Sequence, residues 1–201
     1  VAATNFVNPR YIFADPEAKC SKYLLELGNK SFQKLKSEHI ADYQKYFNRF
    51  LINLGPSGKE GLPTDARIRE AADNMDNSLA ALYVQYGRYL MLSSSREGTY
   101  PANLQGIWND KLNQAWDSKY TVNINTEINY LPVEPLNIAE CHEALFKMVD
   151  EVIPFGEEVA KEHYNARGWV LHHNTDLWRG AAPINASNHG IWVSGSGWLA
   201  H

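Results

Sequence analysis

The sequence predicts an all-α chain. The clearest helix covers residues 73–95, where apolar side chains recur every three or four positions on one face: Leu79, Leu82, Tyr83, Tyr86, Tyr89 and Leu90. Residues 35–51 carry a second stripe with the same spacing, and helical patterning dominates residues 136–164. We count five or six helical segments and little convincing strand, and this count is the basis of the prediction.

The first part of the chain divides into three segments. Residues 1–14 are β-branched and aromatic with a Pro break, which predicts the last strand leaving another domain. Residues 15–54 are charged and helical, and Asp15 followed by Pro16 forms a typical N-cap and first helical position. Residues 54–67 are rich in Gly and Pro and predict a loop.

A long loop is predicted over residues 100–120, where it holds Trp108 and Trp116. Helical patterning resumes near Asn125, is interrupted by two prolines at positions 132 and 135, and then continues. Pro154 is predicted to break or kink that last run, because proline lacks the N–H that a helix interior requires.

Composition excludes several classes of function. The 201 residues carry a net charge of −4, which gives no support for binding to nucleic acid or to an anionic membrane. No apolar run is long enough to span a bilayer, so we expect no membrane insertion. Cys20 and Cys141 form neither a disulfide framework nor a metal-ligand spacing. We expect no metal and no organic cofactor.

The ends of the sequence suggest an internal piece of a longer protein. It begins with Val1 and closes on the apolar stretch "GIWVSGSGWLAH", within what is predicted to be an element. The alternative is a natural domain that ends in a buried helix. We expect the first.

The stretch "NINTEINYLP" at residues 123–132 places amides among apolar residues. Ile124, Ile128 and Leu131 share one helical face, and Asn123, Asn125 and Glu127 flank it. Two interpretations are open. In one, Asn123 or Asn125 caps free N–H groups at a helix start. In the other, the amides orient a sugar hydroxyl or a water molecule.

A second polar cluster is "GWVLHHNTDLW" at residues 168–178. His172, His173 and Asp176 have the chemistry of metal ligands, but adjacent histidines on an extended segment point to opposite faces. The favoured interpretation is a set of groups that hydrogen-bond a polyhydroxylated ligand, with Trp169 or Trp178 stacked on its apolar face. Buried, structurally satisfied histidines are the alternative.

Neutral amides also surround an indole in "PANLQGIWND" at residues 101–110. Sugar hydroxyls are recognised by paired donors and acceptors, and sugar C–H faces by flat apolar surfaces. All six tryptophans lie between residues 108 and 198, in a region with few charges near its end. These features together predict a carbohydrate-active protein.

The chain resembles the inverting α-L-fucosidases of glycoside hydrolase family 95 over nearly its whole length. The motifs that carry the resemblance are "GRYLMLSSSREGTYPANLQGIWND", "WDSKYTVNINTEINYLPVEPLNIAECHEALF", "RGWVLHHNTDLWRGAAP" and "SGSGWLAH". The resemblance implies an (α/α)6 toroidal catalytic domain preceded by a β-domain and a helical linker. Residues 1–14 would then leave the β-domain, residues 15–66 would form the linker, and residues 67–201 would form the first part of the toroid.

The same resemblance implies specific roles for residues. Asn123 and Asn125 match two asparagines that assist the attacking water, while the acid and the base would lie beyond residue 201. His172, His173, Asp176, Trp192 and Trp198 fall in segments that line the sugar pocket, so we expect them to bind substrate. Glu127 is not expected to replace the acid; we expect it to pair structurally or to hold a hydroxyl.

The expected reaction is hydrolysis of terminal α-L-fucose, α1,2-linked to galactose, from an oligosaccharide or glycan, with inversion. The expected partners are that glycan and the rest of the parent chain, without which this chain should be inactive. The rival functions are an α-L-galactosidase of the same architecture, a carbohydrate-binding protein without catalysis, and a metal-dependent enzyme. The sequence leaves the compartment open; a secreted, periplasmic or cell-surface location fits by analogy with the substrate.

Overall fold

The computed structural model describes residues 4–185 and 187–200, with the backbone alone for Ser187 and His189. Residues 1–3, Ala186 and His201, which belong to the first and last predicted segments, lie outside this part. The described residues are mostly helical and contain a single small antiparallel sheet. This confirms the prediction of an all-α chain.

Eight α-helices and two short strands make up the described part of the chain. The helices are α1 (Pro16–Leu27), α2 (Phe32–Phe47), α3 (Thr64–Ala71), α4 (Asn77–Ser94), α5 (Asn125–Tyr130), α6 (His142–Tyr164), α7 (Ser187–Gly190) and α8 (Gly195–Leu199). The strands are β1 (Tyr120–Thr121) and β2 (Asn174–Thr175). Short 3₁₀ turns occupy Ala115–Ser118 and Ala139–Cys141.

Capping side chains set the start of the early helices. The Asp15 carboxylate accepts the N–H groups of Glu17 at 2.9 Å and Ala18 at 3.1 Å, as the predicted N-cap requires. The carboxylate of Asp76 accepts the N–H of Leu79 at 2.9 Å, so α4 begins at Asn77 and not at residue 73. The start of α4 is therefore later than the apolar periodicity alone predicted.

One local prediction is wrong, and a second is wrong in part. Residues 4–14 form a tight turn closed by a bridge between Asn8 and Tyr11, and no strand is present in that part of the chain. Pro154 does not break its helix, because α6 runs through it from His142 to Tyr164; a kink at Pro154 stays a prediction. Whether residues 1–14 leave another domain stays a prediction.

A buried arginine attaches α2 to the rest of the fold. Arg88 on α4 is 0% exposed, and its guanidinium has no carboxylate partner among the described residues. It donates instead to the carbonyl oxygens of Tyr46, Phe47, Phe50 and Leu136 and to Oε1 of Gln85. The bonds to Tyr46, Phe47 and Phe50 satisfy carbonyl groups at and just beyond the end of α2, which are left free when a helix stops.

The core lies between the end of α4, α6 and the small sheet. Its members include Met91, Leu92, Val122, Tyr130, Val133, Ile138, Leu145, Met148, Val152 and Leu171. The sheet and the start of α5 are therefore attached to the most buried part of the described chain.

The apolar stripe predicted on α4 lies mostly at the surface of the described chain. Leu82, Tyr83 and Tyr86 are exposed and line a groove of about 930 Å³ that α3 borders with Ile68. The side chains of α4 that are buried are Arg88, Met91, Leu92 and Ser94. No described helix is both long enough and apolar enough to cross a membrane.

Candidate functional site

The small sheet brings the two polar clusters of the sequence together. In its antiparallel register, Tyr120 pairs with Thr175 and Thr121 pairs with Asn174. Beyond the strands, the N–H of Val122 donates to the carbonyl oxygen of His173 at 2.9 Å. Asn123, the residue after Val122, is therefore held close to the backbone of His173, although 50 residues separate the two in the chain.

Helix α8 packs against the same junction at Gly195. A Cβ at this position would lie 2.7 Å from the carbonyl oxygen of Leu171 and 3.0 Å from Cγ2 of Val122. Both distances are shorter than an ordinary van der Waals contact, so this close approach requires glycine. The approach attaches α8, with Trp198, to the segments that carry Asn123 and His172.

A buried tyrosine fixes the position of α5. The Tyr130 hydroxyl lies 2.6 Å from Oγ of Ser95 and accepts the N–H of Ala102 at 2.9 Å. Because both partners come from the segment that follows α4, the end of α5 is held against the core. The start of α5, with the two candidate asparagines, is thereby held beside the sheet.

The structure does not support helix capping by these asparagines. Ile124 occupies the N-cap position of α5, and no side chain accepts a hydrogen bond from the first turn. Asn125 is exposed, and Asn123 is half-buried with its Oδ1 inaccessible and without a hydrogen-bond partner. An amide oxygen that is buried and unpaired is costly, so it must be explained by something other than capping.

Glu127 lies in the first turn of α5, four residues after Asn123 in the chain, and is 6% exposed. Neither carboxyl oxygen has a partner in another described residue. Burial raises the pKa of Glu127 to about 7, because an ionised carboxylate is penalised in a poorly solvated environment. Sequence reasoning named this residue but did not detect its burial. The apolar residues Ile124, Ile128 and Leu131 are exposed, and the buried face of α5 is formed by Thr126, Glu127 and Tyr130.

His172 is fully buried, with both ring nitrogens occupied. Nδ1 donates to the carbonyl oxygen of Ala181 at 2.6 Å, since a carbonyl only accepts, and Nε2 accepts from the Tyr164 hydroxyl at 2.6 Å. In this arrangement neither nitrogen is free for a sugar hydroxyl. The geometry corresponds to the alternative of a structurally satisfied histidine, which holds its segment against α6.

His173 and Asp176 have different surroundings. The His173 ring is half-buried, and its Nδ1 lies 3.3 Å from Oδ1 of Asn174. Oδ1 of Asp176 accepts the backbone N–H of Trp178 at 2.8 Å, which closes a turn. Asp176 also borders a cavity of about 740 Å³ together with Arg96 and Lys119. Lys119 is the residue immediately before β1.

Four indoles near the second polar cluster and α8 lie in three settings. Trp192 and Trp198 are each 37% exposed, which leaves part of each ring free for contact. Trp178 packs edge-on against Phe6 with ring centroids 5.4 Å apart. Trp169 packs on α6 at Gly156, where a Cβ would lie 3.2 Å from the indole.

The amides of residues 101–110 mainly stabilise their own loop. Oδ1 of Asn103 accepts the N–H of Gln105 at 2.8 Å, and Oδ1 of Asn109 accepts the N–H of Lys111 at 2.9 Å. Such local bonds are the usual role of Asn in turns. In the described ranges, no group of three His, Cys, Asp or Glu side chains is arranged to hold a metal ion.

Comparisons with known proteins identify the family. The glycosyl hydrolase family 95 catalytic domain matches residues 31–201. The chain belongs to this family. It is 38% identical over 191 residues to "Alpha-L-fucosidase 2" of Arabidopsis thaliana, an alignment that covers 92% of this chain and 23% of the relative. It is 32% identical over 190 residues to "Probable alpha-fucosidase A" of Aspergillus niger, covering 93% and 24%.

A third relative, "Probable alpha-fucosidase A" of Aspergillus oryzae, is 31% identical over 169 residues, with 81% of this chain and 23% of the relative covered. The chain therefore spans about a quarter of the length of the curated relatives that it matches. Membership of family 95 agrees with the mostly helical fold and with the prediction that the chain is part of an (α/α)6 toroid.

Within this family 95 chain, sequence reasoning missed the residues that assemble the site. Gly195, Tyr164 and Tyr130 bring the segments together without belonging to a polar motif. Their contacts are long-range, so no local spacing reveals them. The glycine that opens α8 was the single local signal, since a glycine at a helix start suits close backbone approach.

Proposed function

We propose that the parent protein, meaning the longer protein that we expect to contain this chain, is an inverting exo-glycosidase. Its substrate is terminal α-L-fucose, α1,2-linked to galactose in an oligosaccharide or glycan. This chain supplies Asn123 and Asn125, which position the attacking water, and the carboxylic acid and the base lie outside it. The names of the three relatives support the sugar, and the family supports glycoside hydrolysis.

The observation that carries the proposal is the state of the two amides. Both stand at the start of α5 without any capping bond, and the pairing of Val122 with His173 holds them beside the second polar cluster. Polar groups that serve the fold are hydrogen-bonded within it. Amides that are held in place but left unbonded are suited to bind a ligand or a water molecule.

The two amides have complementary functions in the proposed reaction. Asn125 is exposed, so its oxygen accepts a hydrogen bond from the water. Asn123 buries its oxygen, which leaves its Nδ2 group to donate toward the base or the water oxygen. Neither amide removes a proton at neutral pH; both raise the rate by orienting the nucleophile.

The bond changes follow the general scheme for inversion. The water oxygen attacks the anomeric carbon of fucose while the bond to the galactose oxygen breaks. The acid gives its proton to that leaving oxygen, and the base takes a proton from the water. The released sugar is therefore β-L-fucose.

The remaining predicted site residues act around this centre. We propose that His173 and Asp176 contact sugar hydroxyls and that Trp192 and Trp198 offer their free ring faces to the sugar. For His172 we propose an indirect function: it holds the segment that carries His173, because its own nitrogens are occupied.

A proton NMR time course of the parent protein with a Fuc-α1,2-Gal oligosaccharide tests the proposal. The anomeric signal of β-L-fucose should appear first, followed by mutarotation to the α-anomer. If α-L-fucose appears first, inversion is contradicted. If no fucose is released, the same assay with an aryl α-L-galactoside and calorimetric titration with the oligosaccharide separate the galactosidase from a binding protein without catalysis.

A further inference from the structure

Glu127 is a buried carboxyl that the proposed mechanism does not use. It is the third residue of α5, and Tyr130 holds that helix against the core. A glutamate at this helical position commonly bonds back to the N-cap backbone in a capping box. Here it does not: both carboxyl oxygens are inaccessible and without a partner in another described residue.

Other polar oxygens near Glu127 are in the same condition. Asn123 lies just before the N-cap residue of α5, four positions before Glu127, and its Oδ1 is equally buried and unpaired. The hydroxyl oxygen of Thr121 on β1, the strand that α5 contacts, is also unpaired. That of Thr175 on β2 is unpaired too, but it lies on the other face of the sheet, because Thr175 pairs with Tyr120. Three side chains therefore leave oxygens unsatisfied, on β1, on the turn that follows it and on α5: Thr121, Asn123 and Glu127.

Glu127 and Asn123 cannot hydrogen-bond to each other through these oxygens if Glu127 is ionised. An ionised carboxylate and an amide oxygen both accept hydrogen bonds and donate none. A neutral carboxyl supplies one O–H donor, which an amide oxygen accepts. Burial raises the pKa of Glu127 to about 7, and no charged neighbour contributes to that shift. The other ionisable side chains on α5 and the two strands are Tyr120 and Tyr130, and those directly beside the strands are Lys119, His173 and Asp176.

We propose that Glu127 is a positioning residue whose neutral carboxyl donates a hydrogen bond, directly or through one ordered water, to Oδ1 of Asn123. This bond fixes the plane of the Asn123 amide and directs its Nδ2 group toward the reaction site. Glu127 does not touch the substrate, because it is buried behind the amide. The inference rests on the proposed function and extends it by one residue.

Kinetics of variants of the parent protein on an aryl α-L-fucoside test the inference. Glu127→Ala should lower kcat by about 10- to 100-fold with KM nearly unchanged, because a misdirected amide no longer orients the nucleophile. Glu127→Gln keeps a donor and should retain most of the activity near pH 6. The matched control is Glu143→Gln, which alters an exposed glutamate at the start of α6 and should leave kcat unchanged.

Two further readouts separate positioning from a purely structural function. In the Asn123→Ala background, Glu127→Ala should cause no further loss of kcat, because the residue acts through that amide. The wild-type kcat should fall more steeply than that of Glu127→Gln as pH rises through about 7, since ionisation removes the donor. Additive losses, or identical pH profiles, overturn the inference.

The experiment also distinguishes failure of the inference from failure of the proposed function. If wild-type parent protein releases no fucose, the proposed function fails, whatever Glu127 does. Thermal unfolding of the same variants then decides the state of the carboxyl without any turnover. A stability difference between wild type and Glu127→Gln that changes between pH 5 and pH 7 supports a neutral carboxyl, and a constant difference overturns it.

Discussion

Val122 and His173 are joined by a backbone hydrogen bond of 2.9 Å, and this bond connects the two polar motifs of the chain. It extends the pairing of β1 with β2, so that the segment leading to Asn123 runs beside the segment that carries the histidines. Gly195 closes the third side, with Leu171 and Val122 in near contact. The candidate site therefore depends on three segments whose backbones pack directly on one another.

The close approach at Gly195 leads to the first prediction. Gly195→Ala should destabilise the protein by about 1–3 kcal/mol, because the new methyl group meets a carbonyl oxygen at 2.7 Å and a rigid backbone must shift. Thermal unfolding measures the loss, and kcat should fall with it. Gly197→Ala is the matched control, since nothing lies within 4 Å of its Cβ position. Equal melting temperatures for both variants would contradict the packing described.

The second prediction concerns the arginine that attaches α2. Arg88→Leu should lower the free energy of unfolding by about 3 kcal/mol or more, because buried carbonyl groups lose their donor. Urea denaturation measures this loss. Arg69→Leu removes an exposed arginine paired with Asp65 and should change stability by less than about 0.5 kcal/mol. If the two variants lose similar free energies of unfolding, the hydrogen bonds of Arg88 do not stabilise the fold as described.

The third prediction concerns the pH dependence that Glu127 gives to stability. The folded carboxyl has a pKa of about 7, above its value in the unfolded chain. The folded state therefore keeps a proton that the unfolded state releases, and stability falls as pH rises from about 4.5 to 7. Relative to Glu127→Gln, the free energy of unfolding of wild type should fall by about 3 kcal/mol between about pH 4.5 and pH 7 and should not fall further at higher pH. A wild type that gains stability over the same range would contradict the sign.

The fourth prediction tests the structural function of His172. Tyr164→Phe removes the hydroxyl that lies 2.6 Å from Nε2 and should cost about 1 kcal/mol of stability. KM for the fucoside should stay within about twofold, because the hydrogen bond holds a segment and not the sugar. Tyr83→Phe, at an exposed tyrosine, serves as the control. A large rise in KM with unchanged stability would instead place His172 in contact with substrate.

Helices were predictable from the sequence where local signals agree. Asp15 and Pro16 predicted the start of α1 correctly. The periodicity of residues 73–95 predicted α4 but began it about one turn too early, because Asp76 caps the helix. Tertiary contacts account for the errors. The apolar stripe of α4 lies mostly exposed in the described chain, while Arg88 on the same helix is buried by bonding to carbonyl groups far along the chain.

The site was predictable in its composition but not in its geometry. The motif with Asn123 and Asn125 was recognised, and the structure adds that neither amide caps α5. His172 and His173 could not be told apart by sequence, because their difference depends on Tyr164 and Ala181. The burial of Glu127 was likewise invisible, since it results from how α5 packs against β1. Which of the predicted residues contact sugar stays a prediction.

The central claim is that Asn123 and Asn125 position the attacking water, and steady-state kinetics of the parent protein test it most directly. Asn123→Ala and Asn125→Ala should each lower kcat on an aryl α-L-fucoside by about 100-fold or more while KM changes little, because an interaction of the transition state is lost. Asn129→Ala on the same helix, whose amide donates to the carbonyl of Asn103, should keep wild-type kcat. Unchanged kcat in both Asn123→Ala and Asn125→Ala would contradict the claim.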